Sequence, residues 1–233
     1  MRICRPCPSK MPRKKNGQGD LFGEQTPGGW DEKFLPLIEK YKDTAHPLLY
    51  KNLYQLVVMV VLSAQDSDRH INQVAPPFFA AFPDFAALAQ ATPEALYPYL
   101  SGVRNFGNKC VWLCKTAGKL ASGKVSLKMD DLVALDGIGR KSANVIRREM
   151  KEAAEGIIVD LHVLRVVPRL GISQAKDATR MEKDLMAALP KPLWHHVGMC
   201  ISFLGRETCR PTNPKCSECV MQAYCAYASS RNK

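Results

Sequence analysis

The sequence predicts an all-α fold. Apolar residues recur at intervals of three and four along most of the chain, helix starts carry capping residues, and no segment reads convincingly as a strand. The one ambiguous stretch is "LVVMVVL" at 56–62, whose valines would also suit a buried strand. No hairpin turn or partner strand follows it. Within "KNLYQLVVMVVLSAQ" the pattern is apolar almost all round, as for a helix at the centre of a bundle.

The elements follow in order. Residues 1–29 are polar, rich in Gly and Pro and without periodicity, which predicts a disordered extension. Order is expected from Trp30, where Trp30, Phe34, Leu37, Ile38 and Tyr41 recur at helical spacing. Beyond the central helix, the segment beginning at Asp68 is expected to kink or stop at Pro76 and Pro77, because proline removes a backbone donor and crowds the preceding turn. "TPEALYPYL" opens with Thr92 as N-cap and Pro93 at the first helical position. "NKCVWLCKTAGKLA" and "KDATRMEKDLMAAL" read as further amphipathic helices, and no internal repeat is found.

Composition narrows the function. A chain of 233 residues can bury one large or two small cores. Its longest apolar run is far too short for a bilayer span, and "MRICRPCPSK" lacks the apolar stretch of a secretory signal. A soluble intracellular protein with no membrane partner is expected. Nine cysteines are an odd count, too sparse for a disulfide scaffold, and in a reducing compartment clustered thiols favour metal. The net charge of +11 points to a polyanion such as nucleic acid. More than half of it sits in residues 1–15, which hold six basic side chains and no acid.

Three stretches carry chemistry. "LDGIGRKSANVIRRE" at 135–149 is a short helix, a turn bounded by Gly137 and Gly139, and a second helix from near Arg140. Both glycines permit positive φ and uncover backbone N–H groups, which together with the helix dipole would suit a phosphate; a plain αα-hairpin also favours glycine there. Lys141 stands in the first turn of the second helix, where its charge opposes the dipole. If desolvated, it would shift towards the neutral amine that a nucleophile needs. In "GIIVDLHVLRVV", Asp160 precedes an apolar-periodic helix and is either an N-cap or a catalytic carboxylate beside Lys141. His162 is a phosphate contact or a structural histidine. Cys209, Cys216, Cys219 and Cys225, with six, two and five residues between them, would suit zinc or an iron–sulfur cluster. Cys110, Cys114 and Cys200 lie on apolar helix faces and read as core.

In this order and at these distances, "LDGIGRKSANVI", "VDLHVLRVV" and Cys-x6-Cys-x2-Cys-x5-Cys resemble the endonuclease III family of helix–hairpin–helix DNA glycosylases. The resemblance runs from about Trp30 to Tyr227 and includes "LSAQDSD" at 62–68. It implies a six-helix barrel domain over 52–152 that carries the helix–hairpin–helix, and an iron–sulfur domain built from 30–51 and 153–233. It implies a [4Fe–4S] cluster on Cys209, Cys216, Cys219 and Cys225. The implied activity is that of a bifunctional DNA glycosylase and abasic-site lyase of base excision repair. Such an enzyme would remove oxidised pyrimidines from double-stranded DNA and cut by β-elimination.

By the same resemblance Lys141 is the nucleophile and Asp160 its carboxylate. Gln65 fills the gap left by a flipped nucleotide, while Asn105, Gly137, Gly139, Arg140 and His162 contact DNA. A monomer of the bacterial cytoplasm, associated with the nucleoid, is implied. Gln18 to Phe22, "QGDLF", resembles the short peptide that binds the bacterial sliding clamp. Three departures stand out. Leu161 replaces the family's usual threonine, Asn105 lies where an apolar wedge often enters the stack, and Pro168 is expected to interrupt the helix after Asp160. A monofunctional mismatch glycosylase would lack Lys141 and usually add a C-terminal domain; a non-catalytic DNA-binding module would have no need of Lys141 or Asp160.

Overall fold

The computed structural model describes residues 29–121, 123 and 125–231. The extension up to residue 28 and its clamp-like Gln18–Phe22 lie outside these. Among the described residues every regular element is helical. A short α1 (Trp30–Lys33) leads into α2 (Leu35–Tyr41), burying Phe34, Leu37 and Tyr41 as the spacing implies. Helix α3 (Leu53–Ser63) starts at Asn52, whose side chain caps the N–H of Gln55, and buries Tyr54 and everything from Leu56 to Leu62. Each such aliphatic side chain contributes about 1.5–3 kcal/mol. The all-round apolar pattern thus marks the centre of the structure, against which α4, α7 and α9 pack.

Of the two outcomes expected at Pro76 and Pro77, a kink or a stop, helix α4 (Asp68–Ala81) excludes the stop. Both prolines face solvent while Ile71, Ala75 and Phe78 hold the opposite face in the core. The carbonyls that lose a partner, those of Asn72 and Gln73, therefore lie towards water. The chain continues through α5 (Phe85–Ala89), a 3₁₀ turn over Pro93–Leu96 capped by Thr92, and α6 (Tyr97–Leu100). Next come α7 (Phe106–Leu120), α8 (Met129–Val133) and α9 (Arg140–Glu149).

Helix α10 (Leu161–Leu170) likewise runs through Pro168, ending at Gly171 with φ 91°. Pro168 costs the bond to the Leu164 carbonyl, and only two residues of helix follow it. Then follow α11 (Ala178–Ala188), α12 (Trp194–Glu207) and α13 (Ala226–Arg231). Helix α12 is buried from Val197 to Gly205 and packs on α10 and α2. Glycines permit the approach: a Cβ at Gly198 would stand 2.4 Å from the Ile158 carbonyl oxygen, and one at Gly205 2.8 Å from His162 Cβ. Tyr41 joins α2 to α12 by donating to Glu207 Oε2 at 2.8 Å. Cys110 and Cys200 are core residues as expected, and Cys114 is half-buried.

Candidate active site and cysteine centre

The hairpin joins α8 to α9. Gly137 adopts φ 80°, which only glycine takes without strain, and a Cβ there would meet Trp112 at 3.0 Å and Val61 at 3.1 Å. Gly139 differs from the expectation: it is extended, φ −91° and ψ 176°, and it N-caps α9 with no side chain to offer. The first-turn N–H groups of α9 therefore have no capping side chain. The Arg140 guanidinium turns away from that spot, donating from Nε to Glu182 Oε2 at 2.7 Å and to the Glu155 carbonyl. Glu182, on α11, also accepts from Asn144 and from the Ile157 N–H, so it ties the hairpin to the segment before Asp160.

Lys141 and Asp160 both line one cavity of about 240 Å³. Lys141 is exposed, so any desolvation must come from whatever fills the cavity. Asp160 is an N-cap: Oδ1 accepts from the N–H groups of His162 at 2.8 Å and Val163 at 2.9 Å. Its Oδ2 accepts from Ser202 at 2.6 Å. The capping and cavity-facing readings of Asp160 therefore hold together. The apolar wall includes Val60, Val145, Ile158 and Met199, and the polar wall adds His46, Gln65, Asp68 and Arg206. Asp68 and Arg206 are paired at 2.8 Å. His162 contacts the Arg165 guanidinium through Nδ1 at 3.0 Å, and burial lowers its pKa. Leu161 is 67% exposed and lies off the cavity wall.

Gln65 and Asn105 both hold left-handed backbone, at φ 61° and 56°. Asparagine tolerates this conformation; glutamine does so at a cost on the order of 1–3 kcal/mol. Asn105 is exposed and lies outside the cavity. Asp66 stitches the two loops together, accepting from the Arg104 N–H at 3.0 Å and from His70 Nδ1 at 2.9 Å. Lys109, 1% exposed, reaches under them and donates to the carbonyls of Leu62 and Ala64. No pattern in the sequence distinguishes Lys109, Glu182 or Ser202; each acts through partners remote in sequence, such as Leu62, Asn144 and Asp160.

The four terminal cysteines line one shared recess. Burial and the approach of Cys209, Cys225 and Cys216 push the Cys219 thiol up, which places all four within electrostatic reach of one another. Among the described residues no group of three or more His, Cys, Asp or Glu is arranged to hold a single metal ion. Four thiols around one recess fit an iron–sulfur cluster. Arg169 donates to Cys209 Sγ at 3.3 Å and to the carbonyls of Arg210 and Pro211, as befits a thiolate ligand. Arg165 donates to the Cys209 carbonyl. Both arginines lie on α10, so the helix that Asp160 caps is also the helix that braces the cysteine loops.

A profile of the HhH-GPD superfamily of base excision DNA repair proteins matches residues 58–191, and one of the iron–sulfur binding domain of endonuclease III matches residues 209–225. The chain is 33% identical to endonuclease III of Synechocystis sp. over 202 residues, covering 85% of this chain and 92% of that one. The chain belongs to the endonuclease III family. To the endonuclease III of Bacillus subtilis it is 33% identical over 190 residues, 80% of this chain and 86% of the relative. The structure of a trapped endonuclease III–DNA covalent intermediate superposes with a TM-score of 0.76 at 29% identity, covering 84% of this chain and 94% of that one. A thermostable thymine-DNA glycosylase, TM-score 0.71 at 16% identity, shares the fold. As a member of that family, the protein is a base excision repair DNA glycosylase and abasic-site lyase that carries a [4Fe–4S] cluster.

Proposed function

We infer that the cavity lined by Lys141 of α9 and Asp160 at the head of α10 receives a nucleotide flipped out of double-stranded DNA, and that Lys141 removes its base. A base inside the stack is out of reach, and extruding it costs on the order of a few kcal/mol, least for damaged pairs. The neutral amine of Lys141 attacks the sugar C1′ as the bond from C1′ to the base breaks. The base departs with the electron pair and a proton. The C1′–O4′ bond of the resulting aminal then opens, O4′ taking a proton to become a hydroxyl, and C1′ forms a Schiff base with the lysine nitrogen. That Schiff base makes the C2′ proton acidic, and its loss expels the 3′ phosphate as the C3′–O bond breaks. Asp160 takes the lysine proton or stabilises the positive sugar in the transition state.

The observation that carries this reading is that Lys141 and Asp160, nineteen residues apart in sequence, both line one cavity. It also weighs against a non-catalytic DNA-binding module. Backbone N–H groups at Gly137, Gly139 and the start of α9 would hold phosphates. Arg140 would contribute there through its backbone, since its guanidinium is committed to Glu182. Gln65, held in strained backbone at the cavity mouth, would fill the vacated stack, with Asn105 beside it and His162 near the phosphates.

In this reading 52–152 form the six-helix barrel domain, and 30–51 with 153–233 form the cluster domain. Cys209, Cys216, Cys219 and Cys225 hold the [4Fe–4S] cluster, which braces α10 when bound. The substrates are oxidised pyrimidines and abasic sites. The protein acts as a monomer in the bacterial cytoplasm at the nucleoid, with Gln18–Phe22 engaging a sliding clamp. The test is strand cleavage of a duplex with one abasic site. Cleavage leaving an unsaturated 3′ end is expected, and an intact strand would reject the lyase assignment. For the clamp, equal binding by wild type and a Leu21→Ala, Phe22→Ala variant would reject that partner.

A further inference from the structure

We propose that His46 reads the extruded base, donating a hydrogen bond from Nε2 to a ring carbonyl oxygen. The assignment rests on the cavity being the base pocket. His46 lies in the connection between α2 and α3, remote in sequence from both catalytic motifs, yet its ring lines the cavity together with Lys141 and Asp160. Its Nδ1 accepts the Leu48 N–H at 3.1 Å. That bond requires a lone pair on Nδ1 and so places the proton on Nε2. Burial lowers the pKa of the ring; Glu149 and Asp68 favour the charged form, while Arg148 and Lys141 oppose it. The ring is therefore neutral near pH 7, with a fixed tautomer.

Of the other polar groups on the wall, Gln65 is assigned to the vacated stack, Ser142 lies beside Lys141 at the start of α9, and most of the rest are committed to protein partners. Asp160 accepts from two backbone N–H groups and Ser202, Asp68 is paired with Arg206, and Ser63 donates to the Val60 carbonyl. Lys141 is reserved for C1′. Among the described residues, His46 Nε2 has no hydrogen-bond partner. Apolar side chains such as Val60, Ile158 and Met199 pack against ring faces but cannot read an edge. A site built to donate to a carbonyl discriminates against bases that lack one, because its own donor would be left unpaired.

Two isosteric variants separate base reading from scaffolding. His46→Asn keeps an acceptor near Nδ1 for the Leu48 N–H but has no donor at the Nε2 position. His46→Gln does the reverse. Each is measured in single turnover on a duplex with one dihydrouracil, which retains both ring carbonyls, and on one with a preformed abasic site, which has no base to read. In the Asn variant the ratio of base excision to abasic cleavage should fall about tenfold, the worth of one hydrogen bond made to the base, and in the Gln variant it should recover most of that loss. If Gln proves worse than Asn, or if both reactions fall in parallel in both variants, His46 is a scaffold residue and the proposal is overturned. Failure of the wild type to cleave abasic DNA would instead sink the Lys141 reading on which it rests.

Discussion

Ser202 donates to Asp160 Oδ2 at 2.6 Å, from a position on α12 that is fully buried. The other oxygen of the carboxylate caps α10. One side chain thus ends a helix, joins α10 to α12 and faces the cavity, each role fixing the geometry of the next. Ser202→Ala should cost about 1–2 kcal/mol in a denaturant melt. Base excision should slow several-fold while DNA affinity holds. Unchanged excision would show that the cap alone orients Asp160.

Gly137→Ala places a methyl group 3.0 Å from Trp112 at φ 80°. The strain should cost on the order of 1–3 kcal/mol. If the turn holds a phosphate through its backbone N–H groups, DNA affinity should also fall several-fold whatever the duplex sequence. Loss of stability with affinity intact would leave Gly137 a packing residue.

Acid should loosen the two strained loops through Asp66. Burial works against its charge, but hydrogen bonds from the Arg104 N–H, His70 and the Ser67 N–H hold its pKa below the usual carboxylate range. A depressed folded pKa stabilises fully above the unfolded value of about 3.9 and is lost as pH falls through the folded value. In urea melts taken below about pH 4, wild type should therefore lose stability more steeply than Asp66→Asn. Parallel slopes would contradict this role.

The all-α class, the central helix and the hairpin were legible because each depends on short-range pattern: period, caps and glycine. Pro76, Pro77 and Pro168 were poor guides to the helix ends because proline's cost depends on which face loses its partner and how near the helix end lies, neither of which is local information. That Asp160 stands near Lys141 was one of two open readings of the residues, and only the family resemblance chose it. Lys109, Glu182 and Ser202 had no signal, since a buried polar side chain is recognisable only by partners that the fold brings to it.

The cysteine centre makes its own prediction. Protein prepared without oxygen should contain equal iron and sulfide and absorb visible light, and Cys216→Ser should lose most of both. Because Arg165 and Arg169 tie α10 to the cysteine loops, the variant should also gain amide exchange along α10. Zinc in place of iron would contradict the cluster assignment.

The most direct test of the central claim is borohydride trapping on an abasic or oxidised-pyrimidine duplex. Wild type should form a covalent protein–DNA adduct. Lys141→Gln should form none while keeping DNA affinity within about threefold, since phosphate contacts supply most of the binding. Asp160→Asn caps equally well, so the fold should persist while base removal falls steeply. A Lys141→Gln protein that still traps, or an Asp160→Asn protein with full excision activity, would contradict the account.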